Sequence, residues 1–118
     1  MAKHLAQGIF GEQQALAFLK QQGFEIFHCN WRHKNLEIDI IAKDKETLVF
    51  VEVKTRKNVE YGDPSEFVDS AKQNKIVRAA DEYIHATGFE GEIRFDIVSI
   101  IHHKTIEIEW IKDAFWGS

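Results

Sequence analysis

Apolar residues recur at three- and four-residue steps near the start of the chain and at two-residue steps through its middle. Leu5, Ile9, Leu16 and Leu19 fall on one side of a helix over roughly Leu5–Gln22, which Gly23 ends. Phe24–Trp31 alternates, Phe24, Ile26 and His28 against Glu25, Phe27 and Cys29, and predicts a strand. Leu36–Ala42 and Thr47–Thr55, rich in Ile and Val, are two more strands, joined as a hairpin by polar Lys43-Asp44-Lys45-Glu46. Arg56–Ser65 has no period and contains Gly62-Asp63-Pro64, which predicts a mobile loop. A second helix follows over about Glu66–Thr87, its apolar face built from Phe67, Val68, Ala71, Ile76, Ala79, Ala80, Tyr83 and Ile84, with Gly88 as its stop. Glu92–Ile101 and Thr105–Ile111 are the last strands. The order αβββαββ predicts one α/β domain over residues 1–118, a mixed sheet flanked by helices.

Charged residues interrupt these apolar rows at particular places. Strict alternation puts Glu37, Asp39 and Ile41 on one face of their strand and Ile38, Ile40 and Ala42 on the other. In the next strand Leu48, Phe50, Glu52 and Lys54 share a face. Registers with Asp39 opposite Phe50 or Glu52 therefore gather Asp39, Glu52 and Lys54. Neighbouring carboxylates repel unless a cation lies between them. Mg²⁺ takes oxygen ligands and commonly uses one or two carboxylates with waters and phosphate. Asp39 and Glu52 suit it, with the Val53 carbonyl as an extra ligand and Lys54 beside the attacking water or the phosphate. This is a pattern for metal-assisted hydrolysis of a phosphodiester. The alternative is a solvated, salt-bridged strand edge.

Glu12 occupies a slot of the first helix's apolar stripe, Leu5, Ile9, Glu12, Leu16, Leu19. A carboxylate facing a core needs a partner or a metal; otherwise it favours the helix dipole or turns to solvent. The expected metal set is thus Asp39, Glu52 and Glu12, binding Mg²⁺ or Mn²⁺. The expected catalytic set is Glu12, Asp39, Glu52 and Lys54. Lys72 sits likewise in the row Val68, Lys72, Ile76, Ala79, Tyr83, either as a snorkelling stem over the core or as a phosphate contact. Gly8 and Gly11 form no complete phosphate loop and are expected to permit close helix packing. Arg94 and Asp96 share a strand face and are expected to pair.

Composition limits the classes open to the chain. A formal net charge of −4 over 118 residues weighs against a nucleic-acid binder. The cations are clustered, however, and local basic patches can guide a phosphate backbone. Arg32, Arg56, Lys57, Lys72, Lys75 and Arg78 are the candidate DNA contacts. One cysteine, Cys29, excludes an internal disulfide framework. No apolar run approaches a membrane span and no secretory signal is present, so a cytoplasmic location with no membrane partner is expected.

Gly8 to Glu12 followed by Ala15, then Asn30-Trp31-Arg32, Glu37-Ile38-Asp39, Val51-Glu52-Val53-Lys54-Thr55-Arg56, Lys72-Gln73-Asn74-Lys75 and Arg94-Phe95-Asp96 together resemble the YraN-like family. That family is similar to archaeal Holliday-junction resolvases of the PD-(D/E)XK nuclease superfamily. The resemblance covers nearly the whole chain. It implies a restriction-endonuclease-like core and a metal-dependent endonuclease acting on DNA, including branched DNA. In it the acidic motif falls on Asp39, the Glu-x-Lys on Glu52 and Lys54, and the first-helix glutamate on Glu12. A homodimer would suit cutting two strands. The family usually has Gly where this chain has Leu36. The rival expectation is a non-catalytic nucleic-acid-binding or protein-interaction module on a nuclease fold.

Overall fold

Helix α1 spans Ala2–Gln21 and is followed by strands β1 (Glu25–His33), β2 (Leu36–Asp44) and β3 (Thr47–Arg56). Helix α2 (Ser70–Thr87) and strands β4 (Ile93–His102) and β5 (Ile106–Ile111) complete the order αβββαββ. The structure, a computed structural model, describes residues 2–56 and 68–116, with side chains from residue 9 onward. Apart from Arg56, which ends β3, the expected loop Arg56–Ser65 lies outside the described residues. So do Glu66 and Phe67.

The strands form one sheet in sequence order, β1-β2-β3-β4-β5. All neighbours are antiparallel except β3 and β4, which run parallel. A parallel pair needs a crossover, and α2 lies on it. The two helices cover opposite faces. On one, Ile76, Ala79, Ala80 and Tyr83 of α2 pack with Leu48, Phe50, Phe95 and Ile97. On the other, Ala15 and Leu19 of α1 pack with Ile40, Val49, Val51, Val98 and Ile100.

The helix ends follow their local sequence. At the end of α1, Gly23 N–H donates to Lys20 O at 3.0 Å and Phe24 N–H to Leu19 O at 3.0 Å, a Schellman closure that tucks Phe24 into the core. Helix α2 starts at Ser70 and not at Glu66, because Asp69 caps it: its Oδ1 accepts from Lys72 N–H at 2.9 Å. Gly88, at φ 68, ends it in the left-handed region.

Two expectations of strict alternation fail. In β1 a bulge at Phe27 shifts the register between Ile26 and His28. Ile26 then packs with the α1 layer, while the His28 ring meets Tyr83 of α2 edge-on. In β2, Leu36, Ile38 and Ile41 belong to the α2 layer and Ile40 and Ala42 to the α1 layer, so the face changes between Ile38 and Ile40. Across from that break, Asn30 of β1 has φ 52, a conformation asparagine tolerates better than most residues. Regular pairing of β2 with β3 also stops at Ile40–Val51.

The buried stripe of α1 is also rotated from the expected one. Gly11, Ala15 and Leu19 are buried, Ile9 is 49% exposed, and Glu12 stands at the margin. Small residues let the helix lie close: a Cβ built on Gly11 would overlap Thr55 Oγ1. Gly11→Ala should therefore destabilise the protein by about 1–3 kcal/mol, despite the roughly 1 kcal/mol that alanine gains in helix propensity. Thr55→Ala should restore most of the loss. Urea unfolding of the single and double variants checks this, and additive losses would show that the contact is not the cause.

Candidate active site

The end of the β2–β3 ladder leaves the Val53 N–H without a backbone acceptor on β2, and Asp39 supplies one. Its Oδ2 accepts from Val53 N at 2.8 Å. Val53 thus enters the site through its amide as well, a contact the sequence did not suggest. One residue earlier, Glu52 projects to the α2 side of the sheet and is only 6% exposed. Its Oε1 lies 3.0 Å from Lys72 Nζ. An open cleft of about 430 Å³ lies above, lined by Leu36, Glu37, Asp39, Glu52, Lys72 and Lys75 among others.

The electrostatics follow from this crowding. Burial, then the neighbouring Glu52 charge, push Asp39 from 3.8 up to about 7; Glu12 adds to the rise, while the Val53 N–H and Lys72 oppose it. Burial and the adjacent Lys72 ammonium lower Lys54, against the pull of Glu52 and Asp39. Burial would lower Lys72 as well, but the charge and hydrogen bond of Glu52, with Asp39 behind, outweigh it and raise Lys72.

The structure brings Asp39, Glu52, Lys54 and Lys72 together. Glu12 comes from the α1 side as a nearby charge, and its Oε2 is held by Asn30 Nδ2 at 3.0 Å. Among the described residues, no three His, Cys, Asp or Glu side chains gather closely enough to hold a metal ion. Asp39 and Glu52 both line the cleft, and two carboxylates with room for water and phosphate could hold Mg²⁺. Glu12 is not among the residues that line the cleft.

Of the candidate DNA contacts, Lys72 and Lys75 line the cleft, and Arg78 is exposed further along α2. Arg32 is exposed and ion-paired at 3.6 Å with Glu37, itself on the cleft wall. Arg56 turns toward β5, 3.6 Å from Glu109 and mostly buried. Lys57 lies outside the described residues. Leu36 is buried and lines the cleft. Sequence reasoning missed Asn30 as the holder of Glu12. It also missed the direct contact of Lys72 with Glu52; the cation in the apolar row of α2 was the signal.

Arg94 and Asp96 pair as expected and are structural. Asp96, fully buried, accepts from Arg94 Nε at 2.8 Å and Nη2 at 2.9 Å, from Trp110 Nε1 at 2.9 Å and from Asp113 N–H at 3.0 Å.

Asp39 gives a pH signature. With its folded carboxyl near 7 and an ordinary value of 3.8, the folded state binds the extra proton between these values. Its contribution to stability therefore falls as pH rises through that window, and the loss is complete above 7. Asp39→Asn keeps an acceptor for Val53 and removes the titration. In metal-free buffer the variant should match wild type near pH 4. It should exceed wild type by about 2 kcal/mol above pH 7, after a discount for partial exposure. Urea unfolding at pH 4, 6 and 8 checks this; a difference independent of pH would show that Asp39 does not titrate there.

Comparison with known proteins points to one family. The model of "Uncharacterised protein family UPF0102" matches residues 11–100, a stretch that includes Glu12, Asp39, Glu52, Lys54 and Lys72. The UPF0102 protein of Flavobacterium psychrophilum is 42% identical over 117 residues, covering 98% of both chains. That of Bacteroides thetaiotaomicron is 42% identical over 117 residues, 98% of this chain and 97% of its own. A UPF0102 protein of Rhodococcus jostii is 42% identical over 118 residues, 98% of this chain and 100% of its own. The chain belongs to uncharacterised protein family UPF0102, the YraN family.

Proposed function

We propose that this protein is a metal-dependent endonuclease of the PD-(D/E)XK type that hydrolyses DNA phosphodiester bonds, with branched or otherwise structured DNA as its substrate. The observation that carries the reading is the pairing of Asp39 and Glu52 in an open cleft edged by lysines. Burial and the neighbouring Glu52 charge together push Asp39 to about 7, and two carboxylates side by side favour a cation between them.

Asp39 and Glu52 would hold Mg²⁺ or Mn²⁺, which supplies charge neutralisation at the scissile phosphate and a more acidic water. Val53 N–H fixes the orientation of Asp39. Lys54 holds its proton less tightly than an ordinary lysine, for the reasons of burial and neighbouring charge, which suits it to exchange a proton at Nζ. Lys75 and Arg78 present positive charge along the exposed side of α2, where a backbone phosphate would approach. Glu12 acts from the α1 side through its charge. Two copies of the chain would present two such sites to the strands of a junction. Among the described residues, no helix is long and apolar enough to cross a membrane.

One observation favours a second reading, a nucleic-acid-binding module without catalysis: the protein's own Lys72 cation already sits on Glu52. Glu52→Gln separates the two. Wild type is expected to cleave branched DNA in Mg²⁺ or Mn²⁺, with duplex and single strands as comparison substrates. The variant should lose at least about a hundredfold of that rate, since the metal-held water is worth several kcal/mol. Its fold by circular dichroism should be unchanged and its DNA affinity equal or higher, because a charge that repels phosphate is gone. Equal cleavage by the variant would refute the mechanism. No cleavage by wild type with any divalent metal, alongside salt-dependent binding, would leave the binding module.

A further inference from the structure

Lys72 occupies an unusual position for a surface lysine. Its ammonium lies 3.0 Å from Glu52 Oε1, a carboxylate 6% exposed, while the lysine side chain itself is 46% exposed. Its charge also reaches Asp39, and its side chain meets that of Lys54. The cation thus rests on a carboxylate that lines the cleft, and the other end of its four-carbon stem is anchored on α2, whose N-cap is fixed by Asp69. Half-exposure means that the ammonium can rotate into water without crossing a packed layer.

We propose that Lys72 is a displaceable internal counter-cation: it neutralises Glu52 while the site is empty of metal and leaves when a divalent cation takes the carboxylate, turning out to the cleft mouth to meet a substrate phosphate. This rests on the reading of Asp39 and Glu52 as the metal-holding pair. Two roles then fall to one residue in sequence. In the metal-free protein Lys72 offsets the repulsion of Asp39 and Glu52. Once released, it adds its charge to Lys75 beside it on the cleft wall. Loading with metal thereby switches on phosphate affinity, and the lysine and the metal compete for one oxygen.

The competition is measurable without any cleavage. Mn²⁺ binding by calorimetry at 0.15 M salt should be about tenfold or more tighter in Lys72→Met than in wild type, since a unit charge in contact with the site is removed. Lys75→Met is the control for charge alone. It lines the same cleft, and with its exposed charge screened its affinity should change less than about threefold. Acylation of lysines in the wild type, read by mass spectrometry, should label Lys72 weakly without metal and strongly at saturating Mn²⁺. If Lys72→Met binds Mn²⁺ no tighter than wild type while Glu52→Gln abolishes binding, the displacement is refuted and the metal pair stands. If neither wild type nor Lys72→Met binds Mn²⁺, the metal pair is refuted and the displacement falls with it. Should Lys72→Met fail to fold, unchanged labelling of wild-type Lys72 between the free and Mn²⁺-saturated states refutes the displacement on its own.

Discussion

A carboxylate with 6% of its surface exposed is costly inside a sheet unless a cation or hydrogen-bond donors meet it. Glu52 is such a group, and much of the architecture can be understood as supplying its partner. The parallel pairing of β3 with β4 demands a crossover. The crossover carries α2 over the face to which Glu52 points, and Asp69 fixes where that helix begins. Lys72 follows in the first turn, three residues after the cap, and so stands over Glu52. On the neighbouring strand, pairing ends at Ile40–Val51 and β2 turns Asp39 to the Val53 amide that the ladder no longer uses. The site is thus a place where a sheet splits and its unsatisfied groups are met by side chains.

The elements themselves were legible from periodicity, because the strands alternate and the helices carry apolar rows with glycine stops. The faces were less so. Asp39 and Glu52 do meet, but strict alternation is not the reason: Ile38 lies with Ile41 on the α2 side, so the strand changes face beside Asp39. The bulge at Phe27 and the left-handed Asn30 are set by how β1 must follow β2, a long-range constraint with only weak local marks. The α1 stripe was misjudged for a related reason. At Gly11 size decides the contact, since a Cβ there would overlap Thr55, and the helix turns so that Gly11, Ala15 and Leu19 face the sheet while Ile9 is left exposed. Lys72 looked like a snorkelling stem because its partner is twenty residues away on another element.

Two buried acids on this sheet, Asp96 and Glu52, are satisfied in different ways. Asp96 accepts the fork of Arg94, the indole of Trp110 and the Asp113 amide. Arg94 in turn reaches Asp44 Oδ2 at 3.0 Å. Both carboxylate oxygens are satisfied by donors that are themselves packed, the guanidinium side chain being 11% exposed. A closed network of this kind rigidifies and has no vacancy to offer. Glu52 faces a different partner, a point-charge ammonium on a flexible stem with nearly half its surface in water. Beside it Asp39 holds its proton to about 7, because of burial and because the Glu52 charge adjoins it. Satisfaction that is partial and reversible leaves room for a ligand; that physical difference supports the proposed reading of the Asp39–Glu52 pair as the reactive end of the sheet, with Asp96 as its fixed end.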